Sequence, residues 1–513
     1  MSEKSRTVIK FKREPMHHAP EQTVLREQRR RVFLTVAAGV FMSTMDSSQV
    51  NIALPALMRS FHSSLALTEW VVLVYLLTVT VLLVFWGRLC GRWGCGRVYT
   101  HGLLVFTAGS LLCGMAPSAW LLICCRFIQA LGASMMMAAG PALIRSVFPA
   151  ERLGRGLGLI GIATSLGLMT GPVLGGLLLR WLHWRAIFWV TVPVGFVFFL
   201  YSRKSLACFS HCRVQGGERN NAGAGGRKTF DLAGALLWVS GVTLAVLLAT
   251  HAAWLCSSKG VAASTLFRSG TVVMACSWLL FFWREARAAH PVLPLSLFRQ
   301  RFFATAVCSS ALSFAVLFVV LILVPFYLDK ILRLPPDRLG YVMMSLPLTV
   351  FLVSPAAGRL HDWIGARIVA TAGLLCCLAG ILLLGRLTAD SSALFVAGCL
   401  ALMGFGQAMF LAPNSASVLA RVSEEQAGLT ASLLATARNF GMLAGTALAG
   451  LSFALHFAGA TGGLDMRDFV PATAPAFMAA LRSTFWYGAV LALAAVMVSW
   501  QRGGRQKIPG NNE

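Results

Sequence analysis

From Gly154 to Leu178 the chain reads Gly-Arg-Gly-Leu-Gly-Leu-Ile-Gly-Ile-Ala-Thr-Ser-Leu-Gly-Leu-Met-Thr-Gly-Pro-Val-Leu-Gly-Gly-Leu-Leu. The stretch is long and apolar enough to cross a bilayer, yet it carries Gly154, Gly156, Gly158, Gly161, Gly167, Gly171, Gly175 and Gly176. In water each interior glycine costs a helix up to about 1 kcal/mol relative to alanine. In lipid the same glycines are useful. Gly167, Gly171 and Gly175 recur at i, i+4 and i+8, so one helix face is stripped of side chains and a neighbouring backbone can approach. Pro172 has no N–H and clashes with the carbonyl of Leu168, which predicts a kink.

The rest of the chain fits an integral membrane protein. Hydrophobic residues make up 57% of the 513 and charged residues 12%, with a mean hydropathy of +0.72; the charged share is about half that of a soluble domain. The net charge of +25 does not point to nucleic acid, because the basic residues sit in short loops between apolar runs and in the N-terminal leader. The first apolar run begins near Val32, after a long basic segment that reads as a cytosolic tail and not as a cleavable signal peptide. Most of the 13 cysteines fall inside apolar runs, so no disulfide framework is expected.

Apolar runs recur about fourteen times, which predicts an all-α membrane protein of about fourteen transmembrane helices. We divide the chain into a basic leader (1–31), a six-helix bundle (32–202), a cytoplasmic linker (203–229), two extra helices (230–283), a connector (284–301), a second six-helix bundle (302–501) and a tail (502–513). About 31 of the 44 Lys and Arg fall on the side of the two termini and about 11 on the other. The positive-inside rule therefore makes both termini cytoplasmic, and the inner (cytoplasmic) cell membrane is the expected location.

The two bundles are repeats. Gly87-Arg88-Leu89-Cys90-Gly91-Arg92-Trp93-Gly94 returns about 271 residues later as Gly358-Arg359-Leu360-His361-Asp362-Trp363-Ile364-Gly365. Gly140-Pro141 returns as Ala412-Pro413, and Gly171 with Gly175 as Gly441 with Gly445, at a similar offset. Two homologous halves place a substrate path at their interface. Arg97 and Arg367 follow the two copies of the loop, which either latch the halves together or simply hold positive charge inside.

Polar residues at membrane depth are the candidates for function. Asp46 lies about a dozen residues into the first apolar run, where a charge is expensive unless it is paired or faces water. Desolvation penalises the charged form of a carboxylate, which suits a group that loads and releases a proton; a structural ion pair or a helix cap is the alternative. Asn51 follows on the same helix. Arg126 cannot discharge itself and needs an anion, water or carbonyls, unless it snorkels to an interface. Pairing of Arg126 with Asp46 would couple proton to substrate. Gln129, Asn51, Arg438 and Asn439 are candidates for lining a cavity, Arg438 and Asn439 serving equally well to satisfy a kink in their helix. Cys208, His211 and Cys212 lack a fourth ligand, so no metal site or cofactor is assigned.

Taken together, these features resemble the fourteen-helix drug:proton antiporter family of the major facilitator superfamily, the group of the EmrB and QacA exporters. The resemblance rests on Asp46, Asn51 and Pro55; on Arg126 and Gly132; on Gly158, Gly167, Gly171, Pro172, Gly175 and Gly176; and on Trp184-Arg185-Ala186-Ile187-Phe188 with Pro193. It implies proton-coupled export of small amphipathic molecules by alternating access, with Asp46 and Arg126 in proton coupling and the glycine helix sealing the cavity. Facilitator-type exchange of a specific metabolite is the alternative, and a membrane enzyme or sensor a more distant one. Two residues depart from the family pattern, Gly91 in place of an Asp and Thr191 in place of an Asn. Few acids lie at depth, Glu69 and Asp329 being near helix ends, which favours lipophilic, weakly charged or anionic substrates over dications. The partners implied are that substrate, protons and the lipid bilayer; docking of a periplasmic adaptor is left open.

Overall fold

The computed structural model describes residues 19–148, 150–206, 232–257, 261–287, 295–421 and 424–502. Most of the linker at 203–229, with Cys208, His211 and Cys212, lies outside the described residues, as do the first part of the leader and nearly all of the tail. Among the described residues the regular structure is helical throughout.

Fourteen long helices follow one another: α1 (Ala19–Phe61), α2 (Leu65–Trp93), α3 (Cys95–Met115), α4 (Ala119–Val147), α5 (Ala150–Trp181), α6 (Arg185–Trp189, continuing after Val190 as Thr191–Ser205), α7 (Leu232–Ser257), α8 (Val261–Glu285), α9 (Arg301–Lys330), α10 (Pro336–Ile364), α11 (Ala366–Leu384), α12 (Ala393–Leu419), α13 (Glu424–Thr461) and α14 (Ala474–Trp500). Among the described residues, eleven of the helices are long and apolar enough to cross a membrane by length and composition. Serine starts three of them: Ser64, Ser118 and Ser392 each accept a hydrogen bond from a backbone N–H of the first turn, supplying an acceptor that the helix start lacks. The loop repeat ends both times on a glycine in the left-handed region, Gly94 and Gly365, each with φ 86°. That conformation disfavours any side chain and lets α2 turn into α3, and α10 into α11, without an intervening loop.

Helices α1–α6 form one bundle and α9–α14 the other. Glycine sets the closest contacts within each. Gly132 of α4 sits against Gly102 and Phe106 of α3, and in the second bundle Gly406 of α12 sits against Gly373 of α11. The halves meet through equivalent pairs, α5 with α10 and α2 with α13, and through α1 with α9. Helices α7 and α8 pack on each other, with Trp238 and Trp278 edge to face at 5.6 Å, and α7 leans on α2 and α13.

Candidate functional site

Asp46 and Arg126 come together inside the first bundle. Arg126 Nη1 donates to Asp46 Oδ2 at 2.6 Å, and the side chains are 1% and 0% exposed, respectively. Gln129, one helical turn beyond Arg126, completes the arrangement. Its Nε2 donates to Asp46 Oδ1 at 2.9 Å and to Ser110 Oγ at 2.7 Å, while its Oε1 accepts from Arg126 Nη1 at 2.6 Å. Both carboxylate oxygens are therefore occupied. Arg126 Nε donates to the Val71 carbonyl at 3.2 Å, and the guanidinium lies 4.4 Å from the centroid of the Tyr75 ring. Tyr75 is in turn hydrogen-bonded to Ser43 of α1 at 2.9 Å.

Four helices thus contribute to one polar cluster in an apolar interior. Such a pair survives burial only when each partner is well bonded, and removing one partner exposes the other to the full desolvation cost. Snorkelling of Arg126 does not occur. Gln129 is bound into the pair and does not stand free for a ligand. A water-reached acid is the sequence expectation, whereas here Asp46 is enclosed by protein on all sides. The reason is that Arg126, Gln129 and Tyr75 fill the space around it.

The glycine helix explains what holds α1 in place. A Cβ on Gly167 would strike Thr44 and the Phe41 carbonyl, and one on Gly171 would strike Ser48 and the Met45 carbonyl. Gly175 lies against Gln49. This face therefore docks α5 onto α1 along the turn that carries Asp46. Gly176 points across to the other half, against Pro336 and Gly340 of α10, and Gly340 meets the Pro172 carbonyl. In the second half Gly441 and Gly445 of α13 lie on the Ala311 and Ala315 carbonyls of α9, a repeat of the α5–α1 packing. Gly158 lies in a part of α5 whose side-chain surroundings are outside the described residues.

The remaining candidates are dispersed. Asn51 is buried, its Oδ1 without a hydrogen-bond partner among the described residues, and the neighbouring Gln49 has neither amide atom paired. Asn439 is buried with its Nδ2 unpaired, and Arg438 is half-buried. In the gating loops Gly87 and Arg97 are exposed, Gly94 is buried, Gly358 is half-buried and Arg359 exposed. Arg367 stacks on Trp500 at 4.3 Å. The side chains of Arg88, Arg92 and Asp362 lie outside the described residues.

Three contacts are made by residues that the sequence shows only as charges near helix ends. At the end of the bundle away from the termini, Arg59 of α1 pairs with Asp329 of α9, and Arg180 of α5 pairs with Asp337 of α10 at 3.2 Å. Both pairs join the two halves. The third is Glu69 of α2, which is 2% exposed and faces Gly450 of α13. Only the presence of an Arg and an Asp near helix ends hinted at the first two, since partners 270 and 157 residues apart leave no local trace.

Comparison with known proteins gives the same architecture. The family model of the Major Facilitator Superfamily matches residues 36–446 and again 305–512. The chain is 34% identical to the riboflavin transporter RibZ of Clostridioides difficile over 82% of its own length and 88% of that protein's. It is 33% identical to the multidrug resistance protein Stp of Mycobacterium tuberculosis over 81% of its length and 74% of the relative's. A crystal structure of a bacterial homologue of the human lysosomal transporter Spinster, described as inward-facing and unoccupied, aligns with a TM-score of 0.64 at 14% identity, covering 92% of this chain and 96% of the other. That likeness concerns the fold.

Proposed function

Because the chain belongs to the Major Facilitator Superfamily, and is thus a multi-pass membrane transporter, we propose that it is a proton-coupled antiporter of the fourteen-helix drug:proton branch that exports small amphipathic molecules. Asp46 carries the proton and Arg126 is its counter-ion. The observation that supports this is the enclosed Asp46–Arg126 pair bridging α1 and α4 at 2.6 Å. Protonating Asp46 would cancel the charge on one side of the pair and leave Arg126 held by Gln129, the Val71 carbonyl and the Tyr75 ring. The attraction fixing α1 against α4 would fall, and α1 would move with α5, to which it is docked through Gly167, Gly171 and Gly175. Because α5 also meets α10 of the other half, the local loss of charge reaches the interface at which the halves rock.

The reading requires a second arrangement in which Asp46 meets water, since here it has none of its surface exposed. The charge asymmetry of the loops supports cytoplasmic termini, so the Arg59–Asp329 and Arg180–Asp337 pairs close the outer side. The first bundle spans 32–202 and the second 302–501, and the linker at 203–229 joins the first to the two extra helices (230–283) on the cytoplasmic side. Amide atoms without partners among the described residues, both of Gln49, Oδ1 of Asn51 and Nδ2 of Asn439, together with Arg438, favour a neutral or anionic substrate rich in hydrogen-bonding groups, because a buried polar group left unpaired is costly until something pairs it.

In proteoliposomes with an imposed pH gradient, Asp46→Asn is expected to abolish gradient-driven transport while the protein still inserts and folds. Retained transport reduces the pair to a structural cross-link. The similarity to a protein named as a riboflavin transporter favours a second reading, exchange of one specific metabolite. Counterflow that proceeds at full rate with no pH gradient would select it.

A further inference from the structure

Glu69 is an acid in an unusual place. It lies in the second turn of α2, near the outer end, and is 2% exposed. Its Oε1 has no hydrogen-bond partner among the described residues. The residue it faces belongs to the other half: the carboxylate occupies the space that a Cβ on Gly450 of α13 would need. The acid is therefore part of the seam between the halves, seated in a niche made by a glycine.

The charged and titratable groups on the helices packed against α2 are engaged elsewhere or lie at other depths. On α1, Asp46 is bonded to Arg126 of α4 and Arg59 to Asp329. Arg126 reaches the α2 backbone at Val71 but no oxygen of Glu69. On α13, His456 Nδ1 is bonded to the Ser452 carbonyl and its ring lies on Tyr487, while Arg438 sits about three turns from Gly450 toward the cytoplasm. On α3, Arg97 and His101 lie at the cytoplasmic end, His101 bonded to the Arg97 carbonyl. The side chain of His251 on α7 is outside the described residues. No cation pairs with the Glu69 carboxylate among the described residues.

An ionised carboxylate in such a niche bears the cost of desolvation with nothing to offset it, whereas a neutral carboxyl bears little. Parting of α2 and α13 removes that cost by letting water in. The geometry points to Glu69 as a gate proton site, protonated while the outer seam is closed and ionised when it opens. As the seam closes, hydronium in the outer water gives its proton to the carboxylate and leaves as water; as the seam opens, the carboxyl returns that proton to the same side. Acid outside thus drives the transporter toward its inward-facing form without moving this proton across the membrane. The inference rests on alternating access and is independent of Asp46 as the carrier.

The test uses the full chain in lipid nanodiscs, with spin labels attached through non-canonical residues at the exposed outer positions Leu182 and Ala389, and distances measured by pulsed electron resonance across pH. In the unsubstituted protein the long-distance, outward-open fraction is expected to grow as pH rises. Glu69→Gln is expected to hold the closed distance at every pH, whereas Asp46→Asn, which shifts the open fraction through the α1–α4 contact, is expected still to show a rise of that fraction with pH. Gly450→Ala, which retains the acid but fills its niche, is expected to lower the closed fraction at acid pH and serves if Glu69→Gln fails to assemble. A pH response that survives Glu69→Gln, one that disappears with Asp46→Asn, or a closed fraction unmoved by Gly450→Ala overturns the assignment.

Discussion

Replacing Arg126 by methionine tests the buried pair directly, because methionine keeps the unbranched apolar stem and removes the charge. Asp46 would be left with one hydrogen bond, from Gln129 Nε2, and would still be fully buried. An acid so placed is carried into the folded protein in its neutral form. Keeping an aspartic acid neutral at pH 7, about three units above its ordinary range, costs about 4 kcal/mol at about 1.4 kcal/mol per unit. That agrees with the roughly 3–5 kcal/mol observed when one partner of a buried pair is deleted. The folded variant binds one proton more than the unfolded chain, so its stability falls as pH rises and recovers by about 1.4 kcal/mol for each unit of acidification. Reversible unfolding in mixed micelles, followed by circular dichroism from pH 5 to 8, measures the slope. Asp46→Asn in the Arg126→Met background is expected to abolish the slope and to recover most of the loss. Equal stability of Arg126→Met and the unsubstituted protein at pH 7, or an unchanged slope in the double variant, would refute the account of this cluster.

Other outcomes follow from the same geometry. Gly171→Val should separate α5 from α1 and cost on the order of 1–3 kcal/mol or more through overpacking, seen as a lower unfolding midpoint with transport lost, while Gly87→Ala, where a Cβ meets nothing within 4 Å, should leave both unchanged. Gly94→Ala forces a side chain onto φ 86°, and a loss of about 1–2 kcal/mol is expected in the same unfolding assay. The cross-half pair Arg180–Asp337 is partly solvated, with exposures of 46% and 22%, so Asp337→Asn should cost at most about 1 kcal/mol. It should nonetheless increase the outward-open fraction measured between Leu182 and Ala389, and the exchange Arg180→Asp with Asp337→Arg should restore it.

The number of spans, the repeat at about 271 residues and the side on which basic charge accumulates are legible in the sequence because each is a local property. Hydropathy over some 20 residues decides whether a segment enters lipid, and loop charge decides its direction. The glycine spacing of α5 likewise announces a stripped face. Asp46 and Arg126 stand out singly, since any charge at that depth requires an explanation. What those groups meet is another matter. That Gly167 and Gly171 receive α1 while Gly176 receives α10, that Gln129 closes the ion pair, and that Arg59 finds Asp329 are results of packing between segments far apart in the chain. The seat of Glu69 against Gly450 is the clearest case: on the sequence it is an acid near a helix end, expected to reach water. Only the approach of α13, permitted by a missing Cβ 381 residues away, takes that water from it.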